Sequence, residues 1–155
     1  MAEAGVVLAE GADVSHPTDV WSGYPAARAR LLSHIAERGT ANPVVLTGDI
    51  HASFANDIRV DYEDVAASPV ATEYVCTSIT AGGTTPADYV APIAAGYPHF
   101  KLADGRHGGY SAATLTRDRW MTDFLVVDDM EDPQSGLASI GTFVTEAGRP
   151  GAEPA

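Results

Sequence analysis

The chain has 155 residues, 45% of them apolar and 19% charged, a balance that excludes fibrous and disordered classes and fits one domain or part of one. Its 21 acidic against 9 basic side chains leave a formal net charge of −12, which repels a nucleic-acid backbone and an anionic membrane surface, so neither is expected as a partner. The single cysteine, Cys76, rules out an intrachain disulfide or a thiolate metal cluster and reads as a small core residue. No apolar run reaches the roughly 18 residues that a membrane helix needs.

Met1 to Val20 carry little periodicity and read as a loop feeding Trp21-Ser-Gly-Tyr24. Met1–Glu10 has neither a basic start nor a full apolar stretch, so no export signal is read here; the chain is expected to be cytoplasmic or to lack its own beginning. Pro25 opens a helix that Gly39 stops, with Leu31, Leu32 and Ile35 on one face. Val44-Val-Leu-Thr47, after the helix-breaking Asn42-Pro43, is expected as a buried strand. The stretch from Ala52 to Pro69 reads as mostly irregular, Val70 to Thr80 as a strand, and Ala81 to Pro98 as a loop with room for one helical turn. Phe100–Ala103, Tyr110–Thr116 and Trp120–Val127 read as an antiparallel meander. Asp128 to Gln134 follows as a solvated acidic loop, Leu137 to Glu146 as a last strand, and Gly148 to Ala155 as a tail.

Gly48-Asp49-Ile50-His51, placed directly after a buried strand, is the one stretch with the look of a site. A carboxylate and an imidazole two residues apart can turn toward one point, with a glycine before them to let the backbone turn. That point suits a metal ion, although the same residues also read as a turn aspartate and a packed histidine. Two ligands do not complete a site, because zinc takes about four and calcium six to eight.

Asp19-Val-Trp-Ser-Gly-Tyr-Pro-Ala-Ala-Arg-Ala-Arg-Leu-Leu32, Val44-Val-Leu-Thr-Gly-Asp-Ile-His51 and Glu73-Tyr-Val-Cys-Thr-Ser-Ile79, with Pro98-His99, Gly109-Tyr110, the Thr116–Trp120 turn and Phe143-Val-Thr-Glu-Ala-Gly-Arg-Pro-Gly151, together resemble the C-terminal half of the PhoD-like alkaline phosphatases, a branch of the metallophosphatases. The resemblance implies an α/β fold: part of a layered metallophosphatase-type α/β sandwich, with the antiparallel meander in its C-terminal half. It divides the chain into an irregular lead-in at 1–18, the C-terminal part of the domain at 19–151 and a tail at 152–155. It also implies a phosphatase or phosphodiesterase that hydrolyses phosphate-ester small molecules through a metal-activated water. No serine or cysteine nucleophile is then needed, and no catalytic residue is assigned in this chain.

In the family the Gly-Asp-x-His loop supplies metal ligands, which carries that role to Asp49 and His51; the metals implied are iron and calcium. Glu73 is expected either to orient a ligand from behind or to face water at a strand edge. His99 is expected either to reach the phosphate or to serve as a structural imidazole. His16, His34 and His107 receive no role. The family carries further ligands in an N-terminal half, including an Asp-Asp-His-Glu stretch that this chain lacks, and has Asp where this chain has Ser22. The expectation is a fragment, inactive alone, whose partner is that missing half and whose family is typically exported. A second reading is a non-catalytic remnant or β-rich interaction module.

Overall fold

The computed structural model describes residues 21–64, 66–81, 90 and 95–155. The lead-in of the first twenty residues and most of the loop from Ala81 to Pro98 lie outside them. Trp21–Gly23 form a single 3-10 turn, and Pro25–Arg38 form helix α1. Proline suits the first turn of α1 because its missing N–H would have had no partner there. Gly39 ends the helix in the left-handed region (φ 59°), and the N–H groups of Gly39 and Thr40 donate to Ala36 and Ile35. Leu32 is buried and Ile35 half-buried, but Leu31 is 45% exposed, so the apolar face is narrower than the sequence suggests.

Among the described residues eight strands follow: β1 (Val44–Thr47), β2 (Ser53–Ile58), β3 (Ala71–Val75), β4 (Phe100–Asp104), β5 (Gly109–Leu115), β6 (Arg119–Val127), β7 (Leu137–Glu146) and β8 (Arg149–Pro154). They make two four-stranded sheets, ordered β1-β3-β2-β4 and β5-β6-β7-β8. The first is mixed, with β1 parallel to β3 and the other pairs antiparallel; the second is an antiparallel meander. The expected α/β class and C-terminal meander are therefore present, with the meander running through β5 to β8. β4, expected in the meander, instead closes the edge of the first sheet against β2.

Besides β4, three elements depart from the sequence reading. β1, expected to be buried, is a half-buried edge strand with Leu46 60% exposed. Ser53–Ile58, read as irregular, is a strand buried at every position. Its Asn56 and Asp57 disfavour strands in general, yet each finds a polar partner, Glu73 for Asn56 and both Lys101 and the Ala152 N–H for Asp57. The expected tail is strand β8, joined to β7 through Ala147-Gly148, with Gly148 at φ 77°.

The layers are helix, sheet, sheet. On one face of the first sheet, Leu32 of α1 packs on Ile58 and Ala71, while Phe54, Val75, Val90 and Phe100 form a second cluster with Ala52. On the other face Ala55 and Tyr74 meet Phe124, Phe143 and Ala152 of the second sheet. Polar bonds fasten the two sheets: the Gly151 N–H donates to Thr72 Oγ1 (2.9 Å), the Ala152 N–H to Asp57 Oδ1 (2.9 Å), and Tyr74 and Thr145 hydroxyls pair at 2.9 Å.

Candidate metal centre

The register places Thr47, Val75, Phe54 and Ala103 in one row across the first sheet. Beyond that row, at one end of the sheet, lie the β1–β2 loop, the chain after β3 and the β4–β5 loop. Gly48-Asp49-Ile50-His51 occupies this end, where open α/β sheets bind their ligands. The Cys76 N–H donates to the Thr47 carbonyl (2.9 Å), and the Cys76 carbonyl lies 3.5 Å from where a Gly48 Cβ would stand. The loop thus leaves β1 beside the end of β3, at an ordinary van der Waals distance that leaves room for a Cβ at position 48.

Asp49 and His51 both adopt left-handed backbone, with φ of 81° and 59°. Each such non-glycine residue costs on the order of 1 kcal/mol or more, and strain of this kind gathers at functional sites. Asp49 is exposed and His51 half-buried. A carboxylate oxygen and an imidazole nitrogen suit iron, manganese or zinc. Among the described residues no three His, Cys, Asp or Glu side chains come together as a metal-binding group. The two donor types fit part of a metal site but do not complete one.

Glu73 is wholly buried in the middle of the sheet, paired with Val45 of β1 on one side and Asn56 of β2 on the other. The water-facing strand edge expected as one option is thus not where it lies, because β1 covers that side. Asn56 Nδ2 donates to Glu73 Oε2 at 3.1 Å. Tyr62 lies in the electrostatic field of Glu73, Arg28 and Arg59; burial pushes its phenol up to about 12, against the pull of a backbone hydrogen bond at Arg59 and of the two guanidinium groups. The Arg28 guanidinium sits 5.5 Å over the Tyr62 ring.

His99 is 3% exposed and its ring packs against Tyr62 (4.9 Å), Tyr97 (5.6 Å) and Phe100 (4.5 Å). It precedes β4, whereas the Asp49–His51 loop shares the sheet end with Asp104 at the close of β4. The strand between spans roughly 16 Å, so the structure does not bring His99 to the loop. Glu73 sits between the two, two positions short of Val75.

The sequence reading passed over one polar pair at the loop's own end of the sheet. His107 Nδ1 lies 2.9 Å from Asp104 Oδ2. Its i,i+3 spacing was visible in the sequence, but its place beside the loop depends on β4 joining the first sheet.

The family model described as PhoD-like phosphatase matches residues 3–124. Alkaline phosphatase D of Bacillus subtilis (strain 168) is 35% identical over 136 residues, a match that covers 86% of this chain and 23% of that protein. A solved structure of PhoD superposes with a TM-score of 0.78 at 34% identity, over 88% of this chain and 26% of that one. The chain thus spans about a quarter of the length of these relatives. With the larger part of its sequence matched by the family model, it belongs to the PhoD-like phosphatase family.

Proposed function

We propose that this chain contributes the Asp49–His51 metal loop to a PhoD-like phosphoesterase that hydrolyses phosphate esters. The observation that carries the reading is the loop itself: a strand-end Gly-Asp-x-His with two non-glycine residues held in left-handed backbone. Asp49 Oδ and an imidazole nitrogen of His51 would hold the metal, for which the family resemblance points to iron with calcium. When bound, such ions supply Lewis acidity toward the phosphate and a water acidic enough to attack at neutral pH. The protein's part would be to hold the two donors on the turn from β1 into β2, whose start is tied to the end of β3 by the Cys76 N–H to Thr47 carbonyl bond.

Glu73 acts beneath the loop as a positioning group, tying β2 to β3 through Asn56. His99 serves packing in this reading, since its ring neighbours are aromatic. The remaining ligands belong to the part of the family domain that this chain does not span, and the chain alone is inactive. An exported location, as in the family, accompanies this reading.

The test is phosphate release from a monoester and a diester by the chain combined with that further part. Hydrolysis should be sensitive to chelators, and Asp49→Ala should lower it by more than about 100-fold, since loss of a group merely behind a ligand already costs 10–100-fold. Undiminished hydrolysis by Asp49→Ala would remove the loop from the mechanism. A combined protein that takes up no metal and releases no phosphate would favour the interaction-module reading.

A further inference from the structure

The 128–136 loop between β6 and β7 is folded on itself. The Asp129 N–H donates to Ser135 Oγ, the Glu131 N–H to Asp129 Oδ1 and the Gln134 N–H to Asp132 Oδ1, each at 2.8 Å, and the Ser135 N–H donates to the Asp132 carbonyl at 2.9 Å. These bonds all close inside the loop. Met130, its one large apolar side chain, reaches out of it. A Cβ added at Gly108 would fall 2.1 Å from Met130 Sδ and 2.6 Å from its Cγ, so the thioether lies directly on the Gly108 backbone. That backbone is a fixed platform. The Val127 N–H donates to the Gly108 carbonyl (3.0 Å), the Gly109 N–H to the Ser78 carbonyl (2.9 Å) and Thr77 Oγ1 to the His107 carbonyl (3.0 Å), while Asp104 Oδ1 accepts from the N–H groups of Arg106 (3.1 Å) and His107 (3.0 Å).

The sulfur contact works against the rest of the loop. Asp128, Asp129, Glu131 and Asp132 are all exposed, and their hydration and mutual repulsion favour water over the protein surface. An apolar sulfur resting on Gly108 opposes them. Met130 nevertheless keeps 40% of its surface open to water, whereas Met121, the other methionine among the described residues, is half-buried on β6. A thioether open to water is open to oxidants, and oxidation turns a flexible apolar side chain into a polar one.

We propose that Met130 is an oxidation site for hydroperoxides and that its sulfoxide unlatches the 128–136 loop from Gly108. The sulfur attacks the outer oxygen of the peroxide, an S–O bond forms and the O–O bond breaks. The proton on the transferred oxygen passes to the departing one, which leaves as water or an alcohol; the sulfur gives up two electrons and the peroxide takes them. The polar product no longer gains by hiding from water against Gly108, so the contact that opposed the carboxylates is lost. The latch needs neither metal nor phosphate ester. Peptide mapping after graded hydrogen peroxide should find Met130 oxidised before Met121, and cleavage after Glu131 by a glutamate-specific protease should quicken about tenfold in the oxidised protein. Met130→Leu keeps an apolar contact and should leave that cleavage slow with or without peroxide. Gly108→Ala, which sets a methyl group where the sulfur lies, should quicken it with no peroxide at all. Oxidation of Met121 ahead of Met130, or an unchanged cleavage rate in protein fully oxidised at Met130, would overturn the proposal. Both readouts come from the unaltered protein and survive if a variant fails to fold.

Discussion

Asn56 and Glu73 face each other across β2 and β3 with no exposed surface between them. Removing the donor leaves a buried carboxylate with one hydrogen bond fewer, a loss of about 1.5–3 kcal/mol for a bond to a charged group. Asn56→Ala should therefore lower the urea midpoint by that equivalent, and an unchanged midpoint would mean that Glu73 draws nothing from this contact. Tyr62 gives a test with a definite sign. Its folded value of about 12 stands above the unfolded value of 10.0, so the folded state keeps its proton longer than the unfolded one. The stability this reflects is complete below about pH 10 and drains away as the pH rises toward 12, by roughly 2–3 kcal/mol. Burial raises Tyr74 as well, which acts in the same direction. Urea melts at rising pH should show this alkaline loss, and Tyr62→Phe should flatten it.

Strand β8 is one of two strands that local signals conceal. Gly151 has φ 123°, and a Cβ there would lie 3.2 Å from Asp57 Oδ1 and 3.3 Å from Pro69 Cγ. Gly148 is also left-handed, at φ 77°, but has nothing within 4 Å. Gly151→Ala should thus destabilise by about 1–3 kcal/mol and by more than Gly148→Ala, measured by thermal melting. Equal effects would mean that only the dihedral matters. The helix and most strands were legible because their signals are local: Pro25 and Gly39 bracket α1, and apolar runs mark β1, β3 and β6. β2 and β8 were not, because what stabilises them is distant in the chain. Asn56 meets Glu73 17 residues away, and Ala152 meets Asp57 95 residues away. The candidate loop was legible as a motif, since Gly48, Asp49 and His51 adjoin one another. The Asp104–His107 pair was not, because only the pairing of β4 with β2 carries it to the same sheet end.

At the scale of the whole molecule, no further strand among the described residues pairs with the outer edges of β1 and β5. Leu46 on β1 is 60% exposed, and on β5 Tyr110 and Leu115 are 42% and 68% exposed. β5 carries no charged residue or proline, the usual guards of an edge strand. An open groove of about 380 Å3 between these edges is lined by Val44, Leu115 and Trp120, at the end of β1 away from Asp49. Apolar edges of this kind offer a surface on which further structure can pair. In the proposed function Asp49 and His51 hold a catalytic metal once the chain is combined with the further part of the family domain. The most direct measurement is the metal retained per chain after gel filtration of the completed protein, unaltered and with Asp49→Ala and His51→Ala combined. The account predicts bound metal in the unaltered protein and loss of at least one ion in the variant; equal metal content in the two would contradict it.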